Sequence, residues 1–433
     1  MSIITYDESL LYLHSSFGTG TRVGLDGVRA VLGKLGDPQK AYPVIHVAGT
    51  NGKGSNCAFL QHILTAAGYK VGVFTSPHLE RYNERIAVGT EPISDRDFAE
   101  TLGRVVSASD EVISGGERLF FFQILTCMAY SYFAEESVDF AIVETGIGGR
   151  LDSTNVIDTA ALSVITAPGY DHQAILGESL KEIAAEDAGI IKHGCPAAVY
   201  PTPVLSVFTD ISEEKNAPLY YIGEDLQLTM HKCDVNGSVF SVKTAYFSYE
   251  TLSIRLLGNH QVQNAIHALL CAEVLRKKYT ISNEAVRKGL AECRWAGRFE
   301  LVSSEPDIVL DGAHNEDGAR IFGETLRLYF AGRKIVLVVG ISNSKDFRAI
   351  LEHMLPAADV VVCTCSPFRA LPADELAGCV REMTDAEVLV EEDCHAALEK
   401  AVKMGGVTAV AGSLYLVGEL RSVNYDRFQR GNE

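Results

Sequence analysis

Short apolar runs alternate along the chain with longer stretches whose apolar residues recur at helical spacing. In the first half, Val44–Ala48, Lys70–Phe74, Phe140–Val143 and Ala161–Thr166 read as strands, with Cys57–Ala67 and Phe121–Ala134 as intervening helices. Strand–helix alternation implies an α/β fold with a mainly parallel sheet, because parallel neighbours need a crossover long enough to hold a helix. From Ala197 to about Leu257 the runs shorten and turn β-like, which predicts a small appended sheet. His260–Lys277, rich in Ala and Leu, predicts a helix. A second α/β block follows, with strands expected at Ile308–Leu310, Lys334–Val339, Val360–Cys363, Glu387–Val390 and Thr408–Ala411. Trp295-Ala296-Gly297-Arg298-Phe299 separates the blocks, so the expected domains are residues 1–296 and 297–433, with a cleft between them.

Composition narrows the partners. With 38 Lys and Arg against 56 Asp and Glu, the 433 residues carry a formal charge of −18, which argues against broad nucleic-acid binding. No apolar run reaches the roughly 18 residues of a membrane helix. The start, Met1 to Glu8, lacks the basic and apolar regions of a signal peptide. The ten cysteines are scattered through apolar segments, as buried thiols of a cytoplasmic protein would be. Cys363-Thr364-Cys365 is the one close pair, and no second Cys/His cluster completes a metal site around it. The expectation is a cytoplasmic monomer that engages neither membrane nor nucleic acid.

The strongest local motif is Gly49-Thr50-Asn51-Gly52-Lys53-Gly54-Ser55, between a strand and a helix. There, loop N–H groups and a helix N-terminus can face a phosphate chain, Lys53 can neutralise it, and the Ser55 hydroxyl can reach Mg²⁺. Gly54 stands between the lysine and the hydroxyl residue, so the spacing departs from the standard P-loop. Glu144, in Val143-Glu144-Thr145-Gly146-Ile147-Gly148-Gly149-Arg150, ends a strand at the sheet edge where α/β folds bind ligands. It is a candidate for Mg²⁺, against the plainer role of capping the next turn. Tyr170-Asp171-His172 is read as ending the following strand, with His172 as a candidate metal ligand. In the second block, Asp311-Gly312-Ala313-His314-Asn315 again joins strand to helix. Asp311 can accept from ribose hydroxyls, orient an amine or cap the helix, and His314 can bind substrate or phosphate. Arg298 can reach a terminal phosphate, or form a surface salt bridge.

These motifs occur in order with Thr75-Ser76-Pro77-His78-Leu79, Ala188-Gly189-Ile190-Ile191-Lys192, Gly297-Arg298-Phe299 and Gly412-Ser413-Leu414-Tyr415. The ordered set spans nearly the whole chain and resembles the folylpolyglutamate synthase/dihydrofolate synthase branch of the Mur ligase superfamily. The resemblance implies a P-loop ATPase-like N-terminal domain with an appended β-sheet, and a smaller Rossmann-like C-terminal domain that handles glutamate. It implies an ADP-forming ligase using ATP and Mg²⁺. Such an enzyme activates the terminal carboxylate of a folate, dihydropteroate or another pterin-like acid as an acyl phosphate, which the L-glutamate amine attacks. Carried over by motif, Gly49 to Ser55, Asn264, Arg298 and Asp311 hold nucleotide, and Ser55, Glu144 and His172 bind metal. His314 and Ser413 face the incoming glutamate, and join Lys53, Glu144 and His172 as the catalytic set.

Three positions depart from the family pattern. Asp187 stands where the family usually has a lysine that is carbamylated, Gln123 where it has Glu, and Ser344 where Asp-Lys-Asp would begin. Asp187 is expected to approach a second Mg²⁺ through water. Other classes explain less. A weakly catalytic paralogue that senses ATP and a folate-like ligand would account for the substitutions. A P-loop kinase has no use for Asp311–Asn315, and a nicotinamide dehydrogenase would not place Lys53 in its phosphate loop.

Overall fold

The computed structural model describes residues 5–16, 24–112 and 119–429. The first large sheet comprises β1 (Val44–Ala48), β2 (Val71–Phe74), β3 (Ile86–Val88), β4 (Glu91–Pro92), β5 (Phe140–Glu144), β6 (Leu162–Ile165), β7 (Ala197–Val199) and β8 (Leu219–Tyr221). Its order is β4-β3-β2-β5-β1-β6-β7-β8, parallel from β2 through β8 and antiparallel at the β3 and β4 edge. All five residues of β1 are buried because helices cover both faces, so its run Val-Ile-His-Val-Ala does not alternate between polar and apolar. One face packs Val47 and Ile142 against Phe59, Leu60 and Ile63 of the helix Lys53–Ala66 and against the helix Asn259–Arg276. The other packs Val44 and Phe74 against Leu125, Met128 and Phe133 of the helix Phe121–Glu135.

The appended sheet is shorter than the sequence suggests. Only β9 (Gln227–Asp234), β10 (Gly237–Lys243) and β11 (Ser248–Ile254) form it, while Ala197–Val199 and Leu219–Tyr221 extend the large sheet. Its inward residues Phe240, Val242, Leu252 and Ile254 join the same core as the helix Lys53–Ala66, so it has no core of its own.

The second sheet holds β12 (Glu300–Ser304), β13 (Asp307–Leu310), β14 (Ile335–Val339), β15 (Val360–Cys363), β16 (Glu387–Val390) and β17 (Val407–Ala411). The order is β12-β13-β17-β14-β15-β16, with β12 alone antiparallel. The strand ends after β13, β14 and β17 lie side by side. A Cβ on Gly412 would come within 2.8 Å of the Gly340 carbonyl, and Gly412 also needs its φ of 107°. All ten cysteines are unpaired thiols, and no helix of the described residues is long and apolar enough to cross a membrane.

Several polar contacts among the described residues bind the halves together, including the Gly258 N–H donating to the Tyr329 hydroxyl at 2.9 Å, and two involve charged groups. At one, Lys345 Nζ meets both oxygens of Asp171 at 2.7 and 3.0 Å, and Asn315 Nδ2 donates to Asn51 Oδ1 and Asp171 Oδ2. At the other, Arg421 bridges Glu80 of the first half and Glu300 of the second. The Lys345 pair is the more buried, at 19% and 12% side-chain exposure, so breaking it strands a carboxylate in low dielectric. Lys345→Met is therefore expected to cost about 3 kcal/mol, read as a lower urea midpoint. An unchanged midpoint would show that the contact is merely incidental.

Candidate active site

The phosphate-loop geometry begins with backbone freedom. Gly49 has φ 129° and Gly52, the N-cap of the helix, has φ 85°. A Cβ on Gly49 would overlap Thr166 Oγ1, and one on Gly52 would lie 2.8 Å from Asn264 Oδ1. The helix starts at Lys53, four residues before Cys57, because the left-handed turn at Gly52 launches it. No side chain caps its first turn, which leaves the N–H groups there to an anion. Lys53 Nζ folds back onto the carbonyls of Gly49 and Thr50 at 2.7 and 3.3 Å. Those are the contacts a phosphate chain would draw it away from.

A second wall comes from the helix Asn259–Arg276. Gln261 Nε2 donates to Ser55 Oγ at 3.2 Å, Asn264 Nδ2 donates to Gln261 Oε1, and Asn56 Nδ2 donates to Gly52 O and Asn264 Oδ1. His267 Nδ1 closes the network on Asn56 Oδ1 at 3.1 Å. Ser55, 2% exposed, thus lies beneath Gln261, with its hydroxyl proton still free to donate. Gly54 has its own reason to be glycine: the Trp295 indole lies where its Cβ would go, 2.8 Å from Nε1. Trp295 pins the interdomain linker to the loop.

Glu144 lies at the end of β5, buried, with Oε2 accepting from the Ser76 N–H at 3.0 Å. Burial pushes its carboxyl up, against the pull of Lys53, that N–H, Arg298 and Arg85. Asp187 sits in the last turn of the helix Leu180–Ala188, 1% exposed, with Oδ2 lacking a hydrogen-bond partner among the described residues. Burial pushes it up to about 7, opposed by Lys53 and the Gly49 N–H. An orphaned carboxylate oxygen in that position calls for a ligand that brings positive charge, and Asp187 caps nothing with its side chain.

His172 is placed differently from its sequence reading. β6 ends at Ile165, and Asp171-His172 follows in the loop beyond it, with His172 at φ 52°. Burial lowers its imidazole, and Asp171 raises it less, so the ring is neutral as a metal ligand must be. Burial raises the Asp171 carboxyl, but His172, Lys345 and His314 outweigh it and hold it below the ordinary range.

Across the cleft, Asp311 uses both oxygens on backbone: Oδ2 accepts from Phe299 N–H and Oδ1 from Ala313 N–H, each at 2.7 Å. Its part in building the site is to fix the linker to the turn after β13. Burial moves it up to about 6, against the neighbouring Arg298. Arg298 lies over Gly312, where a Cβ would come within 2.6 Å of its Nη1, and it forms no salt bridge among the described residues. His314 Nδ1 meets the Gly312 carbonyl at 2.8 Å, so that nitrogen carries the proton and Nε2 is left to accept, 3.9 Å from Asp171 Oδ2. Burial lowers this imidazole to about 4. Asn315 caps the helix Glu316–Phe330 through Gly318 N–H. Ser413 caps the helix Leu414–Arg421 and accepts from Ser366 Oγ at 3.0 Å.

Lys53, Glu144, Asp187, His172, Arg298, Asp311 and His314 therefore meet around one interdomain gap. It continues into a cleft of about 1630 Å³ bounded by Thr75, Asn236, Arg255, Trp295, Arg298 and Leu414. Among the described residues no three His, Cys, Asp or Glu side chains form a ready metal cage. Glu144, Asp187 and His172 therefore do not form such a cage by themselves; Mg²⁺ in general keeps several waters and takes one or two carboxylates plus substrate phosphates. The orphaned Asp187 oxygen beside a phosphate cradle fits that ion.

Gln123 explains one departure. Its Oε1 accepts from Phe120 N–H as the third residue of a capping box, a bond Glu makes equally, but its Nε2 also donates to Gly24 O, which Glu cannot do. Lys345 and Asp346 retain roles in latch and helix cap, while Ser344 bonds only locally to Ser342. Ser76, Gln261 and Trp295 are the contributors that sequence reasoning passed over. Their one sequence signal was position: Ser76 beside a strand end, Gln261 a turn before Asn264, and Trp295 as the single tryptophan.

Residues 297–414 match the family described as Mur ligase, glutamate ligase domain. The dihydrofolate synthase/folylpolyglutamate synthase of Bacillus subtilis is 37% identical over 425 residues, covering 96% of this chain and 98% of that one. Mycobacterium tuberculosis folylpolyglutamate synthase complexed with ADP superposes with a TM-score of 0.89 at 31% identity, covering 98% and 99% of the two chains. A bifunctional folylpolyglutamate synthase/dihydrofolate synthase with Mn, AMPPNP and L-glutamate bound gives 0.83 at 28% identity, covering 96% and 97%.

Proposed function

Because this chain belongs to the folylpolyglutamate synthase/dihydrofolate synthase family of Mur ligases, we propose an assignment of its site residues to the steps of ATP-dependent glutamate ligation to a folate. The protein is a carbon–nitrogen ligase that uses ATP and a divalent metal. The observation that carries the assignment is the convergence of Lys53, Glu144 and Asp187 on one side of the gap with Arg298 and His314 on the other.

Residues 1–296 serve as the ATP-binding domain and 297–433 as the glutamate-ligase domain. The loop Gly49–Ser55 holds the phosphates, with Lys53 leaving its loop carbonyls to neutralise them. Asn264, Arg298 and Asp311 bound the nucleotide, Asn264 and Asp311 chiefly by holding loop and linker in place. Glu144, Asp187, His172 and Ser55 would hold Mg²⁺, which supplies charge neutralisation on the transferring phosphoryl group. The acceptor carboxylate oxygen attacks the γ-phosphorus, the bond to ADP breaks, and an acyl phosphate forms. The glutamate nitrogen then attacks the acyl carbon and inorganic phosphate departs. His314 Nε2, unprotonated because Nδ1–H is committed to Gly312, accepts a hydrogen bond from that amine, and Ser413 borders the same space. The latch between Asp171 and Lys345 closes the gap and keeps water from the acyl phosphate. The protein works as a monomer in the cytoplasm, without nucleic acid or membrane. Tetrahydrofolate and dihydropteroate are the two acceptors to compare. Glutamate-dependent ADP release with a product heavier by one glutamyl unit supports the assignment; ATP turnover indifferent to glutamate refutes it and favours the sensor.

A further inference from the structure

Arg85 is a buried cation that no step above uses. It is 6% exposed, and among the described residues its one side-chain hydrogen bond runs from Nε to His78 Nδ1 at 2.8 Å. Its two terminal NH₂ groups donate to no described residue, and it forms no salt bridge among them. The carboxylates nearby are already engaged. Glu84 accepts from the N–H groups of Leu79, Glu80 and Arg81, and Glu144 Oε2 accepts from Ser76. The rings of Tyr82 and Phe121 lie beside the guanidinium, 5.7 and 5.4 Å from its carbon to their centroids. Cation–π contacts of this kind replace only part of the hydration the group has lost.

The backbone places this cation at the reacting end of the sheet. Thr75 N–H donates to Arg85 O at 3.0 Å, and the next N–H, that of Ser76, donates to Glu144. Arg85 therefore sits one residue pair from the carboxylate proposed to hold the metal. A planar fork of unused donors matches a carboxylate bidentately, and aromatic rings at its side suit a ligand that carries an aryl group next to its acid.

Resting on the ligase reading above, we infer that Arg85 binds the α-carboxylate of the acceptor's terminal glutamyl unit and so selects which carboxylate is activated. A glutamyl terminus presents two carboxylates. Holding one on the Arg85 fork leaves the other free to reach the phosphate loop, so ligation is confined to the side-chain carboxyl. The same anion chemistry could come from an ATP phosphate or from the incoming glutamate, and the test separates these.

The full-length enzyme is assayed with ATP, Mg²⁺, glutamate and either tetrahydrofolate or its analogue with the α-carboxylate replaced by a carboxamide. Wild type is expected to show a KM about thirtyfold higher for the carboxamide, the size seen on truncating one partner of a buried charge pair. In Arg85→Gln the two acceptors should become equivalent, with the KM values for ATP and glutamate unmoved. Arg85→Lys, which keeps the charge and the packed stem, should fold even if the glutamine variant does not, and should show a reduced discrimination. A folded variant that keeps the wild-type discrimination overturns the inference. So does a wild type without discrimination, or a change in the KM for ATP or glutamate instead. Failure of the ligase reading itself would appear in wild type alone, as no glutamate-dependent ADP with tetrahydrofolate.

Discussion

Lys53→Ala is expected to lower kcat/KM for ligation by about 10³-fold while the protein folds normally. The size follows from removing a preorganised charge aimed at a transferring phosphoryl group in a water-poor site. Normal folding follows from the local role of the amine, which among the described residues bonds only two carbonyls of its own loop. The helix start does not depend on the side chain, since Gly52 and the Asn56 bond to its carbonyl set that turn. Steady-state kinetics beside circular dichroism checks both halves. Ligation within tenfold of wild type in a folded variant would remove the phosphate-loop assignment.

Asp187→Asn is expected to separate stability from metal use. The wild-type carboxyl pays a burial penalty for its charge, which is why it sits near 7, and its Oδ2 has no partner to lose. The amide has similar volume and no charge, so the variant should melt no earlier than wild type. Its response to Mg²⁺ should weaken, with the half-saturating concentration rising by about ten- to a hundredfold, the usual cost of losing a group that supports a metal. Asp187 carries its carboxylate permanently, so wild-type activity should not respond to bicarbonate. An Mg²⁺ titration unchanged in the variant would leave Asp187 as a structural oddity.

How much of this was legible depended on how local the cause was. β1, the glycine loop and its helix could be read because strand, loop and helix are consecutive and the glycines answer to steric demands within a few ångströms. The second sheet was legible for the same reason, since its inner parallel strands β14, β15 and β17 are buried runs of four or five residues. The short antiparallel edges β3, β4 and β12 escaped notice because two to five half-exposed residues carry little pattern. β7 and β8 were assigned to the wrong sheet because the pairing of β7 with β6, and of β8 with β7, is set by crossovers, not by composition.

The site divides along the same line. Lys53, Glu144 and Asp311 announce themselves at strand ends, but what holds them does not. Gln261 reaches Ser55 across 206 residues, and Lys345 reaches Asp171 across 174. Nothing in either local sequence names the partner. Arg85 looks like one charge among several in Glu80-Arg81-Tyr82-Asn83-Glu84-Arg85 until the fold shows Glu84 occupied and Arg85 buried with no carboxylate bonded to it among the described residues.

The central claim is that an acceptor carboxylate takes the γ-phosphoryl group in this gap before the amine attacks. It is tested most directly by following oxygen. With the acceptor's reacting carboxylate enriched in ¹⁸O, and ATP, Mg²⁺ and L-glutamate supplied unlabelled, each turnover through an acyl phosphate must pass one carboxylate oxygen to inorganic phosphate. The account predicts phosphate carrying a single ¹⁸O in proportion to product formed. Product formed with unlabelled phosphate would contradict it.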